Sequence, residues 1–180
     1  LIVTVARFQR IKGQLKSIEM ARMLRDAGDE FCYAFVGGSV FGSPEDLAYE
    51  QEVEQCAERE GLLGNEVIFV GERRDIPGIM READLLVIPS DNESLGVVAL
   101  EAIASQLPII STPSDGVSEI LQNDVRCIAK SNDAKGLYDL AHGFLNDSDI
   151  RDSILESYAE YGNRYRIEVV ADAFIEAISR

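Results

Sequence analysis

Tryptophan is missing from this sequence, histidine occurs once, as His142, and cysteine only at positions 32, 56 and 127. Each scarcity narrows what the chain can do. Zinc is held by sets of Cys and His at close spacing, and three scattered cysteines with a single histidine do not make one. None of the cysteines forms a C-x-x-C pair, and Cys32 and Cys127 lie inside apolar runs. They are expected to be small buried hydrophobes in a reducing compartment, which points to the cytoplasm. No apolar stretch reaches the roughly 18 residues that a membrane-spanning helix requires. Basic residues are also in deficit, with 17 Lys and Arg against 32 Asp and Glu and a formal net charge of −15. So acidic a surface argues against nucleic acid as a partner, because backbone binding depends on Lys and Arg neutralising phosphates. It argues equally against docking of this domain on an anionic membrane.

What remains is ordinary globular composition, 46% hydrophobic and 27% charged, in 180 residues. That is enough for one domain with a substantial core. The chain opens directly on Leu1-Ile2-Val3-Thr4-Val5-Ala6, without methionine or a leading polar turn. A buried strand at the first residue predicts a piece cut from something longer.

Short apolar runs alternate with amphipathic segments, the pattern of βα repeats around a parallel sheet. Strands are expected at 1–6, 31–36, 67–70, 85–88, 108–111 and 125–129. A helix is predicted over 14–27, where Leu15, Ile18, Ala21 and Leu24 recur at helical intervals, with Gly28 placed as its C-cap. Further helices are expected from Pro44 to about Gly61, from Ile76 to Ala83 and from Gly96 to Ser105. From Asn132 onward the pattern is helical, with breaks near 146–148 and 162–163. The fold class is therefore a doubly wound, Rossmann-like α/β domain: a six-stranded parallel sheet over 1–180, with residues 149–180 as a helical tail. Leu85 to Ile88 is apolar throughout, as expected of a parallel strand covered on both faces.

In such sheets ligands bind beyond the carboxyl ends of the strands, where the strand order reverses. The residues that follow the strands are thus the ones to question. They include Arg7 and Lys12-Gly13, Gly37-Gly38, the run 71–74, the run 89–96 and the segment 112–119. Cations, glycines, hydroxyls and carboxylates gather on one edge of an acidic protein, the composition of an anion site with polyol ligands. Arg7 and Lys12 suit a diphosphate, the one as a bidentate fork and the other as a point charge, or they are simply solvated surface charges. Backbone N–H groups of Gly96 to Val98, at a helix start, favour an anion as well. Glu101 suits a pair of ribose hydroxyls or is a solvent-facing helix residue, and its spacing from Glu93 alone does not decide. Gly37-Gly38 is too short for a dinucleotide fingerprint and is expected to let a backbone turn come close to the ligand.

Arg7 with Lys12-Gly13, the run Pro89-Ser90-Asp91-Asn92-Glu93-Ser94-Leu95-Gly96-Val97-Val98-Ala99-Leu100-Glu101-Ala102 and the segment 108–119 occur in an order and spacing that resembles one family. The family is the group 1 (family 4) glycosyltransferases of the GT-B fold, and the likeness extends over about residues 1–128. It implies a C-terminal donor-binding domain that acts in retaining, metal-independent transfer from a nucleotide diphosphate sugar, UDP- or GDP-linked, with no cofactor. It implies that Arg7 and Lys12 hold the diphosphate and stabilise the leaving group, and that Glu101 binds the ribose. It further implies that Glu93 meets the donor sugar, with donor contacts at Ser94, Leu95, Gly96 and Val97, Gly37 nearby, and Arg73 or Arg74 at the base. The acceptor, a glycan or a lipid-linked sugar, would belong to an N-terminal domain absent from this chain. Without that domain turnover is expected to fail even where the donor still binds. Any attachment to the inner membrane would also fall to that domain, and the pathway by analogy is cell-surface polysaccharide or lipopolysaccharide synthesis.

Three positions depart from the family pattern: Gln106 and Asp115 replace glycines, and Leu95 replaces an aromatic. They bear on sugar identity more than on family. His142 is expected to be a packed or surface residue and Asp147-Ser148-Asp149 a helix cap rather than a metal motif. Alternatives are a nonenzymatic or degenerate nucleotide-sugar-binding module and another GT-B enzyme such as a sugar-nucleotide epimerase or a phosphorylase.

Overall fold

Residues 1–39 and 42–178 are described by the structure, a computed structural model. The chain runs β1 (Ile2–Val5), α1 (Gln14–Ala27), β2 (Tyr33–Val36), α2 (Pro44–Arg59), β3 (Val67–Gly71), α3 (Ile76–Glu82), β4 (Leu85–Ile88), α4 (Val97–Ala104), β5 (Ile109–Ser111), α5 (Asp115–Ile120), α6 (Ala134–Asn146), α7 (Ser148–Arg164) and α8 (Ile167–Ile178). The last two residues of the expected tail lie outside the described residues.

The strands pair in parallel in the order β3-β2-β1-β4-β5. All four residues of β2 and of β4 are buried, which is why those runs carry no polar alternation. On β3, an edge strand, the alternation returns, with Val67 buried and Ile68 and Val70 exposed. Helix α1 packs against α2 and α6, and α4 against α5 and α7, so the sheet is sandwiched between two helical layers. The predicted apolar stripe of α1 is the buried one: Ile18, Ala21 and Leu24 are fully covered. Gly28 closes the helix in the left-handed region at φ 86°, its N–H donating to the Leu24 and Arg25 carbonyls. Ser43 caps α2 by accepting from the Asp46 N–H, with Pro44 following it. Asp147 caps α7 by accepting from the Asp149 N–H, as expected of that tripeptide. Cys127 is buried, its thiol pushed up to about 12 chiefly by burial, and so is chemically quiet. His142 binds a nearly buried Asp29 carboxylate at 2.7 Å and ties α6 to the turn after α1.

The expected sixth strand is corrected. Residues 125–129 meet the sheet only through one isolated bridge from Ile128 to Ser111. Arg126 is the physical reason. Its guanidinium grips Asp124 through both carboxylate oxygens and reaches Ser157 Oγ and the Ser153 carbonyl on α7. The chain is thereby drawn into a turn, and Val125 is left 77% exposed. Two further differences concern helices. Residues 115–120, for which the sequence pattern predicts no element, form α5, and α7 continues through Gly162-Asn163 to break only after Arg164.

The Asp124 cluster gives the fold an acid-sensitive clamp. Burial pushes its carboxyl up, but hydrogen bonds from the Arg126 side chain, the Arg126 N–H and Tyr161 outweigh burial and hold it below the ordinary range. A carboxyl depressed by folding adds stability above its unfolded pKa of roughly 3.9, and that contribution disappears as pH falls through the folded value. Asp124→Asn is therefore expected to lower stability by about 2 kcal/mol at pH 7, the scale of hydrogen bonds to a charged group. The difference from wild type should shrink at pH values below about 4. Thermal melts of both proteins across that range test this; a gap that stays constant with pH would rule it out.

Candidate functional site

Strands β2 and β3 follow β1 on one side, whereas β4 and β5 lie on its other side, so the strand order reverses between β1 and β4. The carboxyl ends of those two strands diverge there, and a cleft of about 370 Å³ opens between them. Its walls are residues 4–7 and Lys12 from the β1 side and residues 87–90 and 93–98 from the β4 side.

The loop after β1 is pinned at several points. Phe8 is buried, its ring centroid 6.3 Å from Phe35 and 5.9 Å from Phe69, and Gln14 Nε2 donates to the Arg7 carbonyl at 2.8 Å. Arg10 is turned away from the cleft, over the Tyr49 ring and onto Glu52 at 2.6 Å. Arg7 is exposed at the cleft. A short 3-10 turn, Arg10–Lys12, presents Lys12 inward and ends on Gly13 at φ 68°. A Cβ at Gly13 would lie 2.1 Å from the Pro89 carbonyl oxygen, so only glycine lets the two loops come this close. The Asp91 N–H donates to the Ile11 carbonyl at 2.8 Å, and Lys16 Nζ binds Asp91 at 2.7 Å and Asn132 at 2.5 Å.

Inside the cleft Lys12 Nζ lies 2.6 Å from Glu93 Oε1, with side chains only 20% and 13% exposed. Ser90 Oγ donates to the same oxygen at 2.8 Å. Beneath them, buried hydroxyls fix the strand ends: Thr4 Oγ1 donates to the Val87 carbonyl at 2.8 Å and Thr112 Oγ1 to the Ser90 carbonyl at 2.5 Å. Gly96 caps α4 at φ 70° with no side-chain cap, and the helix start, 96–98, lines the cleft. A positive helix terminus and two cations therefore share one concavity of an acidic protein. Leu95 and Val97, 53% and 55% exposed, form an apolar lip.

Arg7, Lys12, Glu93, Ser94, Leu95, Gly96 and Val97 are thus brought together. Glu101 is exposed on α4 one turn beyond Val97, outside the lining. Gly37 lies outside it too: at φ 136°, a Cβ there would sit 2.0 Å from the Ala6 carbonyl oxygen, so its close approach is to the β1 end itself. Arg73 forks onto Asp75 at 2.8 and 2.6 Å and lines a separate groove between β3 and α3. Of the departing positions, Gln106 takes φ 55°, the left-handed region that favours glycine, just past α4. Gly116 packs where a Cβ would be 2.6 Å from the Glu93 and Ser94 carbonyl oxygens, while Asp115 is exposed. Sequence reading missed Phe8, Gln14 and Thr4, and gave no role to Thr112. The available signal was a lone aromatic within a cationic loop and hydroxyls within or just after otherwise apolar strands. Among the described residues, no group of three His, Cys, Asp or Glu side chains is placed to hold a metal ion, and no helix is long and apolar enough to cross a membrane.

The family model described as "Glycosyl transferases group 1" matches residues 1–164. A lipopolysaccharide core biosynthesis mannosyltransferase, LpsB of Rhizobium meliloti, is 32% identical over 117 residues, which is 63% of this chain and 32% of that protein. The N,N'-diacetylbacillosaminyl-diphospho-undecaprenol alpha-1,3-N-acetylgalactosaminyltransferase of Campylobacter jejuni is 26% identical over the whole of this chain and 44% of its own length. Among solved structures, Anabaena HepE in complex with UDP and glucose superposes with a TM-score of 0.84 at 24% identity, over 99% of this chain and 48% of that one. The chain thus spans a third to a half of the length of these relatives.

Proposed function

Because the chain belongs to the group 1 glycosyltransferases, we propose that the cleft between β1 and β4 binds a nucleotide diphosphate sugar whose sugar is passed to an acceptor. The fold is that of one GT-B glycosyltransferase domain. The observation that carries the proposal is the convergence of Arg7, Lys12 and the uncapped start of α4 on one cleft at the reversal of strand order. Relatives support it: HepE is described in complexes with UDP and with UDP-glucose.

In this reading the diphosphate lies between Arg7, Lys12 and the 96–98 backbone. As the bond to the sugar breaks, negative charge collects on the outer phosphate, where Arg7 and Lys12 stabilise it. Each charge pair near 4 Å at an effective dielectric of 20 has a Coulomb term of roughly 4 kcal/mol before desolvation. Glu93 meets the sugar and Glu101 the ribose. Transfer is retaining and needs no metal, and the base is uracil or guanine. The acceptor, a glycan or lipid-linked sugar, is held by an N-terminal domain outside this chain, in the cytoplasm, in the synthesis of a surface polysaccharide or lipopolysaccharide. This chain alone then binds donor without turning it over.

Calorimetric titration with UDP, GDP and ADP should show saturable binding of one of them. Glu101→Ala should weaken that nucleotide at least tenfold, about 1.4 kcal/mol, and leave its 2′,3′-dideoxy analogue unaffected. Absence of any binding at millimolar ligand, by this chain and by the full-length protein alike, would refute the proposal.

A further inference from the structure

Glu93 is held more firmly than a ligand-facing carboxylate needs to be. Lys12 Nζ at 2.6 Å and Ser90 Oγ at 2.8 Å both bond to Oε1, and neither engages Oε2. Ser90 is itself 1% exposed, and its carbonyl accepts from the buried Thr112 hydroxyl at 2.5 Å. Thr112 is fixed by position, being the residue after β5, and its N–H bonds the Ile88 carbonyl of β4. A continuous series of hydrogen bonds therefore runs from the paired β4 and β5 through Thr112 and Ser90 to the Glu93 carboxylate. A carboxylate has two oxygens and about four acceptor sites. Saturating one oxygen from below orients the other.

We infer that Ser90, seated by Thr112, is a positioning residue that aims Glu93 Oε2 at a hydroxyl of the donor sugar, and so sets how much the sugar adds to nucleotide binding. The inference rests on the donor-site reading of the cleft. It accounts for a buried hydroxyl side chain two residues past β4. It also separates two duties that a single ion pair would confuse. Lys12 can swing toward a phosphate on ligand entry while Glu93 stays in place, because Ser90 still holds Oε1. With Lys12 as the sole partner, Glu93 would be released at the moment the sugar arrived.

The test reads a ratio. For UDP against UDP-glucose and for GDP against GDP-mannose, the Kd of the diphosphate divided by the Kd of the sugar nucleotide measures the sugar's share. In the pair that wild type binds, Ser90→Ala should lower this ratio at least fivefold, and Thr112→Val should move it in the same direction. In a Glu93→Ala background Ser90→Ala should change the ratio by less than twofold, because no carboxylate is left to aim. Thermal melts identify a variant that has not folded, and the remaining variant then carries the test. An equal loss for both members of the pair, or a further drop in the Glu93→Ala background, would mean that Ser90 is only structural and would overturn the inference while the donor site stands. Failure of wild type to bind either pair would overturn the donor-site reading itself, and the inference with it.

Discussion

On the proposed reading of the cleft, Lys12→Ala is expected to lower the affinity of this chain for a nucleoside diphosphate by at least tenfold, about 1.4 kcal/mol. Both cations face the cleft, and Lys12 is in contact with the Glu93 carboxylate. Its ammonium neutralises Glu93 at 2.6 Å with both side chains largely covered. Removing it deletes one attraction to phosphate and also exposes a negative charge beside the place where phosphate must sit. The two losses add in the single variant and separate in the double one. Lys12→Ala with Glu93→Gln should recover part of the diphosphate affinity, since the unmasked repulsion is gone. Titration of UDP or GDP into wild type and the variants at one fixed salt concentration measures this, because screening alters every such term. A double variant that binds no better than Lys12→Ala would show that Glu93 does not face the diphosphate.

Gly13→Ala should cost several kcal/mol of stability and push the two loops apart, through geometry rather than charge. Two penalties combine. An L-residue at φ 68° pays about 1–2 kcal/mol for the left-handed backbone. The new Cβ would also sit 2.1 Å from the Pro89 carbonyl oxygen, a backbone atom that cannot step aside. Overpacking of this kind adds roughly 1–3 kcal/mol. For a chain of this length the sum shifts the melting temperature by on the order of 10 °C. Gly28→Ala is the control. It has the same left-handed demand at φ 86° but nothing within 4 Å of a Cβ, so only the backbone cost of about 1–2 kcal/mol remains. Scanning calorimetry of both variants decides between the two; equal melting temperatures would remove the close approach of the loops as the reason for Gly13.

The two penalties also show what a sequence can and cannot reveal. Conformational demands are local, and Gly28 as the cap of α1 was legible from the periodicity before it. So were α1 itself and the fully apolar β4, because helix period and burial on both faces each leave a mark within a dozen residues. Close approaches are not local. Residues 125–129 look like a strand in isolation, and only the partners of Arg126 on α7 turn them aside. Residues 115–120 suggest no element in the sequence, and α5 forms there with Gly116 and Val117 packed on the 93–96 segment. In the site, the resemblance and the strand-end rule picked out Arg7, Lys12 and the 93–97 run. Lateral distance was illegible: Arg73 follows β3, which is separated from β1 by β2, and strands lie about 4.8 Å apart. The hydroxyls of Ser90 and Thr112 were in plain sight without a role, since a role needed the bonds between them.

The cleft has no wall of its own sequence neighbourhood. Lys12 and Glu93 stand 81 residues apart, and they meet only because β1 pairs with β4. A partly folded chain that has made β1, β2 and β3 would contain every cation of the site and none of its shape. Loop closure over that separation has to be achieved before the site exists. A ligand bound there recognises only the finished sheet, and mass action then stabilises the whole domain by RT ln(1 + [L]/Kd). On the proposed reading of the cleft, a nucleotide sugar would therefore also stabilise the folded chain.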